Sequence, residues 1–252
     1  MAPYDFRSPR VFVEPSLVAG ARLTLDAAQT NYLVNVLRLK EGATILVFNG
    51  RDGEWRATIA AGSRTAAVLT LAEQVREQTA PSDLHYLFAP LKHARLDYMV
   101  QKAVEMGASR LQPVLTRHGQ VGRVNLERMR ANAIEAAEQC GILTLPEIAA
   151  PIALRQLIDI WRPERLLVFC DEDAPLADPV KALAQAQEGG LVGPPAVTVL
   201  IGPEGGFAEE ERDALRELPN AIRLSLGPRI LRADTAAVAA LALVQAVLGD
   251  WR

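Results

Sequence analysis

Over the first 75 residues apolar and polar positions alternate in short runs. Arg10-Val11-Phe12-Val13, Arg22-Leu23-Thr24-Leu25, Thr44-Ile45-Leu46-Val47-Phe48, Trp55-Arg56-Ala57-Thr58-Ile59 and Ala66-Ala67-Val68-Leu69-Thr70-Leu71 read as strands. Asp26 is placed to cap a helix that carries Tyr32, Leu33, Val36 and Leu37 on one apolar face. Asn49-Gly50 and Asp52-Gly53 supply turn chemistry. The pattern predicts a small β-rich, barrel-like domain at 1–75 and a polar linker at 76–83.

From residue 84 onwards strand and helix patterns alternate. His85-Tyr86-Leu87-Phe88-Ala89 precedes a helix with Leu96, Met99, Val100, Ala103 and Val104 on one face, closed by Gly107. Leu111 to Leu115 is a strand whose Pro113 places it at a sheet edge. A helix capped by Asn125, a helix near Ile152–Ile160, a strand from Arg165 to Cys170 and a helix near Asp178–Gln187 follow, then a Gly/Pro loop from Glu188 to Pro195. This alternation predicts one α/β domain at 84–252 with a mainly parallel sheet.

Two stretches near the end repeat one arrangement. The apolar run Val197-Thr198-Val199-Leu200-Ile201 enters Gly202-Pro203-Glu204-Gly205-Gly206-Phe207 and then the helix start Ala208-Glu209-Glu210-Glu211-Arg212. The strand Ile222-Arg223-Leu224-Ser225-Leu226 enters Gly227-Pro228-Arg229-Ile230-Leu231-Arg232 and then a long apolar helix from Asp234. Two Gly-Pro loops at the carboxyl ends of neighbouring strands would form a pocket floor, because ligands in open α/β sheets collect there.

Half of the 252 residues are hydrophobic, enough for a sizeable core. No signal-peptide pattern opens the chain at Met1-Ala2-Pro3-Tyr4-Asp5-Phe6-Arg7, and the last helix is alanine-rich rather than membrane-like, so a cytoplasmic protein without a membrane association is expected. Cys140 and Cys170 are too few and too isolated for a disulfide framework or a zinc site, and no metal is expected. The net charge of −3 hides a segregation. Lys92 to Arg130 holds eight Lys and Arg against three acids, a local +5, whereas Asn132 to Leu200 holds four against ten, a local −6. The basic segment is compatible with a polyanion partner and equally with a solvated helix face.

Neither loop is a P-loop or a G-x-G-x-x-G fingerprint, and Glu204 with Glu209 to Glu211 would repel a phosphate. A neutral or cationic ligand held by backbone hydrogen bonds fits better, S-adenosylmethionine being one; the alternative is that both Gly-Pro pairs are only tight turns. No Ser/His/Asp set, metal-ligand cluster or carboxylate pair stands out, and His85, His93 and His118 are scattered. Any catalysis would then rest on orientation and electrostatics, as in group transfer from a reactive cofactor.

Ile201 to Phe207 together with Leu226 to Arg232 resembles the bacterial 16S ribosomal RNA uridine-N3 methyltransferases of the SPOUT superfamily. The likeness extends through Asn35-Val36-Leu37-Arg38-Leu39-Lys40, Gln101 to Gly107 and Glu135-Ala136-Ala137-Glu138-Gln139. It implies a PUA-like RNA-binding domain, then an α/β domain with a trefoil knot, a homodimer, S-adenosylmethionine in the knot, and 16S ribosomal RNA or the small ribosomal subunit as substrate. Position by position, it implies cofactor contacts from Gly202, Glu204, Gly205 and Gly206, from Leu224, Leu226, Gly227, Ile230 and Leu231, and from a third wall at Phe169-Cys170-Asp171-Glu172. It places Arg229 at the target uracil, where a guanidinium would stabilise the N3 anion. Arg38, Lys92, Arg95, Lys102, Arg117, Arg123 and Arg232 are candidate RNA contacts. Departures occur at Asn31-Tyr32, Arg117-His118-Gly119, Met129 and Asp234, mostly away from the cofactor loops. A competing reading is a non-catalytic RNA- or ribosome-binding protein on the same scaffold; a nicotinamide-dependent oxidoreductase is disfavoured by the missing fingerprint.

Overall fold

The computed structural model describes residues 5, 7–63, 66–120, 122–188 and 196–251, without the side chains of residues 61–63, 93, 187 and 188. Most of the opening segment, most of the Gly/Pro loop before Val197 and the His93 side chain therefore lie outside the described residues. The chain divides into two units, one reaching to Ala80 and including Ile134–Leu145, the other formed by Pro81–Ala133 and Pro146–Arg252.

In the first unit β1 (Arg10–Phe12), β2 (Arg22–Thr24), β3 (Thr44–Phe48), β4 (Glu54–Ser63) and β5 (Ala66–Arg76) form one sheet in the order β1-β3-β4-β5-β2. β1 runs parallel to β3 and the other pairs are antiparallel. Ile45, Val47, Leu69 and Leu71 alternate inward and bury a core with Leu23 and Leu33. Asp26 caps α1 (Ala27–Thr30), accepting from the Gln29 N–H at 2.7 Å, while the Gln29 side chain accepts from the Asp26 N–H at 3.2 Å. The helix then widens into a π-turn at Asn31–Val36 and leaves through Arg38 at φ 55°. Bonds of the i to i+5 type, such as the Leu37 N–H to the Tyr32 carbonyl at 2.9 Å, break the 3.6-residue period. The expected single apolar face is corrected accordingly: Leu33 is buried, whereas Tyr32, Val36 and Leu37 are exposed.

β5 continues to Arg76, one residue into the stretch read as linker, because two buried groups hold its end. Glu54 accepts from Arg10 at 2.6 Å and from Arg76 at 2.8 Å. The same arginines donate to carbonyls of residues 137–142: Arg10 to Ala137 and Glu138, Arg76 to Gly141. They satisfy the carbonyls that a helix end leaves unpaired.

The second unit contains β6 (Leu84–Phe88), α2 (His93–Glu105), β7 (Arg110–Leu115), the start of α3 (Leu126–Cys140), β8 (Glu147–Ile148), β9 (Ile152–Ala153), α4 (Leu154–Asp159), β10 (Leu166–Cys170), α5 (Pro179–Glu188), β11 (Val197–Ile201), α6 (Glu209–Arg216), β12 (Ala221–Leu224) and α7 (Ala233–Val247). All pairings are parallel, in the order β12-β10-β11-β6-β7-β8, with β9 also on β7. β7 is not an edge strand, contrary to the reading of Pro113. It lies between β6 and two short strands, β8 beside Arg110 and Leu111 and β9 beside Val114 and Leu115. Pro113 falls in the interruption between these partners, where a missing N–H leaves no ladder bond unmade.

α7 is alanine-rich where it must pack closely: Ala236, Ala237, Ala240 and Leu241 are buried, and the helix contacts α2, α5 and β11. Beneath the sheet ends, Leu87, Leu167, Phe169, Leu200, Phe207 and Leu215 form an apolar cluster.

Candidate functional site

The β11–α6 loop turns over one aromatic ring. Phe207 lies edge-on to Phe169, with centroids 6.3 Å apart and planes at 81°. A Cβ at position 202 would stand 2.9 Å from the Phe207 ring, so only glycine lets the loop fold back over it. Gly206 adopts φ 70°, and a Cβ there would come 2.0 Å from Glu172 Oε1. Local backbone chemistry thus places this loop against the end of β10.

The β12–α7 loop meets it across a cavity of about 530 Å³. Gly202, Glu204 and Gly205 line one side, and Leu224, Leu226, Gly227, Ile230 and Leu231 line the other. Cys170, Asp171 and Glu172 add the third wall, and Ala233 and Ala236 of α7 keep the interior open. Gly206 is the exception among the residues expected to touch a cofactor. It does not line the cavity but makes the turn behind it, and its carbonyl accepts from His118 Nδ1 at 3.2 Å. Phe169 sits wholly buried below the wall rather than in it.

Asp171 anchors that wall. Its side chain is fully buried, and Oδ2 accepts from Arg212 Nε at 2.8 Å and from Arg223 Nε at 2.6 Å. Arg212 also donates to Asp173 at 2.8 Å and to Glu209 at 2.7 Å. Burial alone would lower the Arg212 pKa, but the surrounding carboxylates, Asp171 foremost, hold it above its ordinary value. Burial, with Asp171 beside it, pushes the Cys170 thiol up to about 12, so the sulfur is protonated and unreactive.

The acids of the first loop are largely neutralised, which the charge pattern alone did not indicate. Glu204 pairs with Arg95 at 2.5 Å, Glu210 with Arg117 at 3.1 Å, and Glu211 accepts from the backbone N–H of Ala208 at 3.0 Å and of Arg117 at 2.8 Å. Two candidate RNA contacts are thereby held in ion pairs. Arg95 also lies 3.7 Å from Asp234 and serves as a brace between loops, because α2 directs it between two carboxylates. Lys102 is turned onto Glu105 at 2.6 Å and lies over the Tyr98 ring. Lys92, Arg123 and Arg232 are exposed and have no ion pair among the described residues; Arg38 is likewise exposed, in the first unit. Arg117 stays exposed despite its pairing. Arg229 lines the cavity mouth, exposed and with no ion pair among the described residues, so it does not brace its loop.

The anchoring set Asp171, Arg212 and Arg223, and the contact from His118, were not found from sequence. The usable signal was the acidic run Asp171-Glu172-Asp173 directly after a buried strand, opposite an arginine in the acid-rich start of α6.

Comparison with known proteins gives a consistent result. Residues 78–245 match an RNA methyltransferase domain family, and residues 25–72 match an RNA methyltransferase PUA domain family. A ribosomal RNA small subunit methyltransferase E from Rickettsia conorii is 30% identical over 237 residues, covering 94% of each chain. The structure of a ribosomal RNA small subunit methyltransferase E from Neisseria gonorrhoeae bound to S-adenosyl methionine superposes with a TM-score of 0.81 at 26% identity, covering 98% of this chain and 100% of that one. A Legionella pneumophila protein in complex with the bound cofactor SAM gives a TM-score of 0.79 at 29% identity, covering 95% and 98%.

Proposed function

We propose that this chain, which belongs to the ribosomal RNA small subunit methyltransferase E family of the SPOUT superfamily, transfers the methyl group of S-adenosylmethionine to N3 of a uridine in 16S ribosomal RNA. The observation that carries this reading is the cavity framed by both Gly-Pro loops and the end of β10. Its volume of about 530 Å³ suits a nucleoside-sized cofactor, and its floor offers backbone groups in place of a phosphate-binding nest.

The residues fit the cofactor's chemistry. Gly227, where a Cβ would meet nothing within 4 Å, leaves room for a ligand to approach the backbone, while Leu224, Leu226, Ile230 and Leu231 supply apolar surface for the adenosine. When bound, S-adenosylmethionine supplies the electrophilic methyl group. The protein's part is to hold the uracil ring in line with it and to favour its N3 anion. Arg229 is the group proposed to favour the anion, because a guanidinium free of a competing carboxylate can offer its charge to developing negative charge on the ring.

Lys92, Arg117, Arg123 and Arg232, with Arg38 in the PUA-like unit, are proposed to contact the RNA backbone. A homodimer and a trefoil-threaded carboxyl end belong to the same proposal, as does a cytoplasmic site of action. Exposed Leu176, Val180 and Ile230, at 68%, 48% and 90%, support a second copy covering apolar surface.

The test is methyl transfer from labelled S-adenosylmethionine to small ribosomal subunits that lack the modification, with the product mapped by mass spectrometry. One N3-methyluridine is expected. Cofactor binding without transfer to RNA would leave the fold assignment standing and overturn the substrate.

A further inference from the structure

Three acids follow β10 in succession, and the neighbouring arginines pair with two of them. Asp171 accepts from Arg212 and Arg223, and Asp173 accepts from Arg212 at 2.8 Å. Glu172, between them, has no hydrogen bond or ion pair with any described residue; it is exposed and lines the cavity. The cavity's other carboxylates are Asp171, buried under two guanidinium groups, and Glu204, paired with Arg95. Glu172 is thus the one carboxylate of the cavity left uncompensated among the described residues.

Its neighbours also set it apart. Carboxylate oxygens of Asp171, Glu172 and Asp173 lie within 4.8 Å of one another, an arrangement that like-charge repulsion opposes. Gly206, the last glycine of the first loop, is where a Cβ would come 2.0 Å from Glu172 Oε1. That glycine does not touch the cavity; it keeps space for a carboxylate that does. With Arg212 bonded to both flanking acids, a single free carboxylate remains, too few ligands for a divalent ion but enough for one organic cation.

We infer that Glu172 recognises a cationic group of the cofactor, either the sulfonium or the α-ammonium. The inference rests on the methyltransferase reading and names a residue role within that cavity. A carboxylate here favours the charged donor by direct attraction in a partly enclosed site, where water screens less than in bulk.

Calorimetry on the full chain separates the possibilities, with Glu172→Gln compared with wild type against three probes. S-adenosylmethionine carries both cations, S-adenosylhomocysteine only the ammonium, and 5′-methylthioadenosine neither. We expect Glu172→Gln to weaken S-adenosylmethionine about tenfold, as for loss of a charged hydrogen-bond partner, with methylthioadenosine unchanged within about twofold. A matching loss for S-adenosylhomocysteine assigns the ammonium; an unchanged S-adenosylhomocysteine assigns the sulfonium. Equal losses for all three probes, or none, would overturn the inference. Glu172→Asp, which keeps the charge, should recover part of the affinity, and equal thermal midpoints exclude misfolding. A wild-type chain that binds none of the probes would overturn the methyltransferase reading itself.

Discussion

The Arg95 guanidinium of α2 lies 2.5 Å from the Glu204 carboxylate of the first Gly-Pro loop. It also reaches within 3.7 Å of Asp234, in the first turn of the helix that follows the second loop. One cation therefore ties three chain segments together at the carboxyl ends of the strands. The Arg95 side chain is about a third exposed, at 33%, so water screens the pair and its energy is small. Arg95→Gln should weaken S-adenosylhomocysteine about two- to fivefold by calorimetry, with little change in thermal midpoint. Unchanged cofactor affinity with a raised KM for RNA would return Arg95 to the phosphate contacts.

Gly206→Ala should be damaging, because Gly206 is buried and its backbone is left-handed. The new methyl would need φ 70° and would meet Glu172 Oε1 at 2.0 Å. The backbone term is about 1–2 kcal/mol, and the exposed Glu172 carboxylate has to swing away from the new methyl. The expected outcome is a lowered thermal midpoint and weakened cofactor binding by calorimetry, with the fold retained by circular dichroism.

Arg229→Ala should lower kcat about 100- to 1,000-fold while cofactor affinity stays within about twofold, because the role proposed for it is towards charge that develops only during transfer. Single-turnover methylation and calorimetry on the same preparation check the two halves. Lost cofactor binding would instead make Arg229 part of the pocket wall.

Asp171→Asn should destabilise the protein by about 3–5 kcal/mol, since it leaves Arg212 and Arg223 without their shared carboxylate. Urea unfolding gives the value directly. Replacing the exposed Asp173, at 65%, should cost much less, because water can hydrate the Arg212 nitrogen that it releases.

His85 sets a pH dependence. Burial foremost, then Arg165, lowers its pKa from 6.5 to about 4 despite Asp83 at 3.3 Å. The unfolded chain therefore binds more protons between these values. His85 leaves stability at its full value above pH 6.5 and reduces it as pH falls towards 4. The slope from this one group is at most about 1.4 kcal/mol per pH unit. His85→Gln should flatten that part of a stability–pH curve measured by urea unfolding.

Much of this protein is legible without coordinates, and the reason is period. Val197 to Ile201 is apolar at nearly every position because a central parallel strand is covered on both faces, and all five residues are buried. Asp26, Asn125 and the paired Gly-Pro loops are local signals whose geometry depends on their own neighbours, so the sequence carried them intact. The π-turn at Asn31–Val36 failed for the opposite reason: one extra residue in a turn rotates every later side chain, and period alone does not reveal it.

Charge was the least legible property. Glu204, Glu209, Glu210 and Glu211 read as a repulsive cluster, yet Arg95, Arg212 and Arg117 pair with three of them, two of these arginines coming from distant stretches. The sequence by itself determined the order of elements, the parallel sheet, and the two loops that frame the cavity, because hydrophobic period and turn chemistry act between near neighbours. Only the tertiary structure decided which acids are neutralised, that Gly206 serves Glu172 rather than the cavity, and that Arg229 has no ion pair among the described residues. Electrostatic partners are chosen by distance in space, and residues 95 and 204 become neighbours only when the sheet has formed.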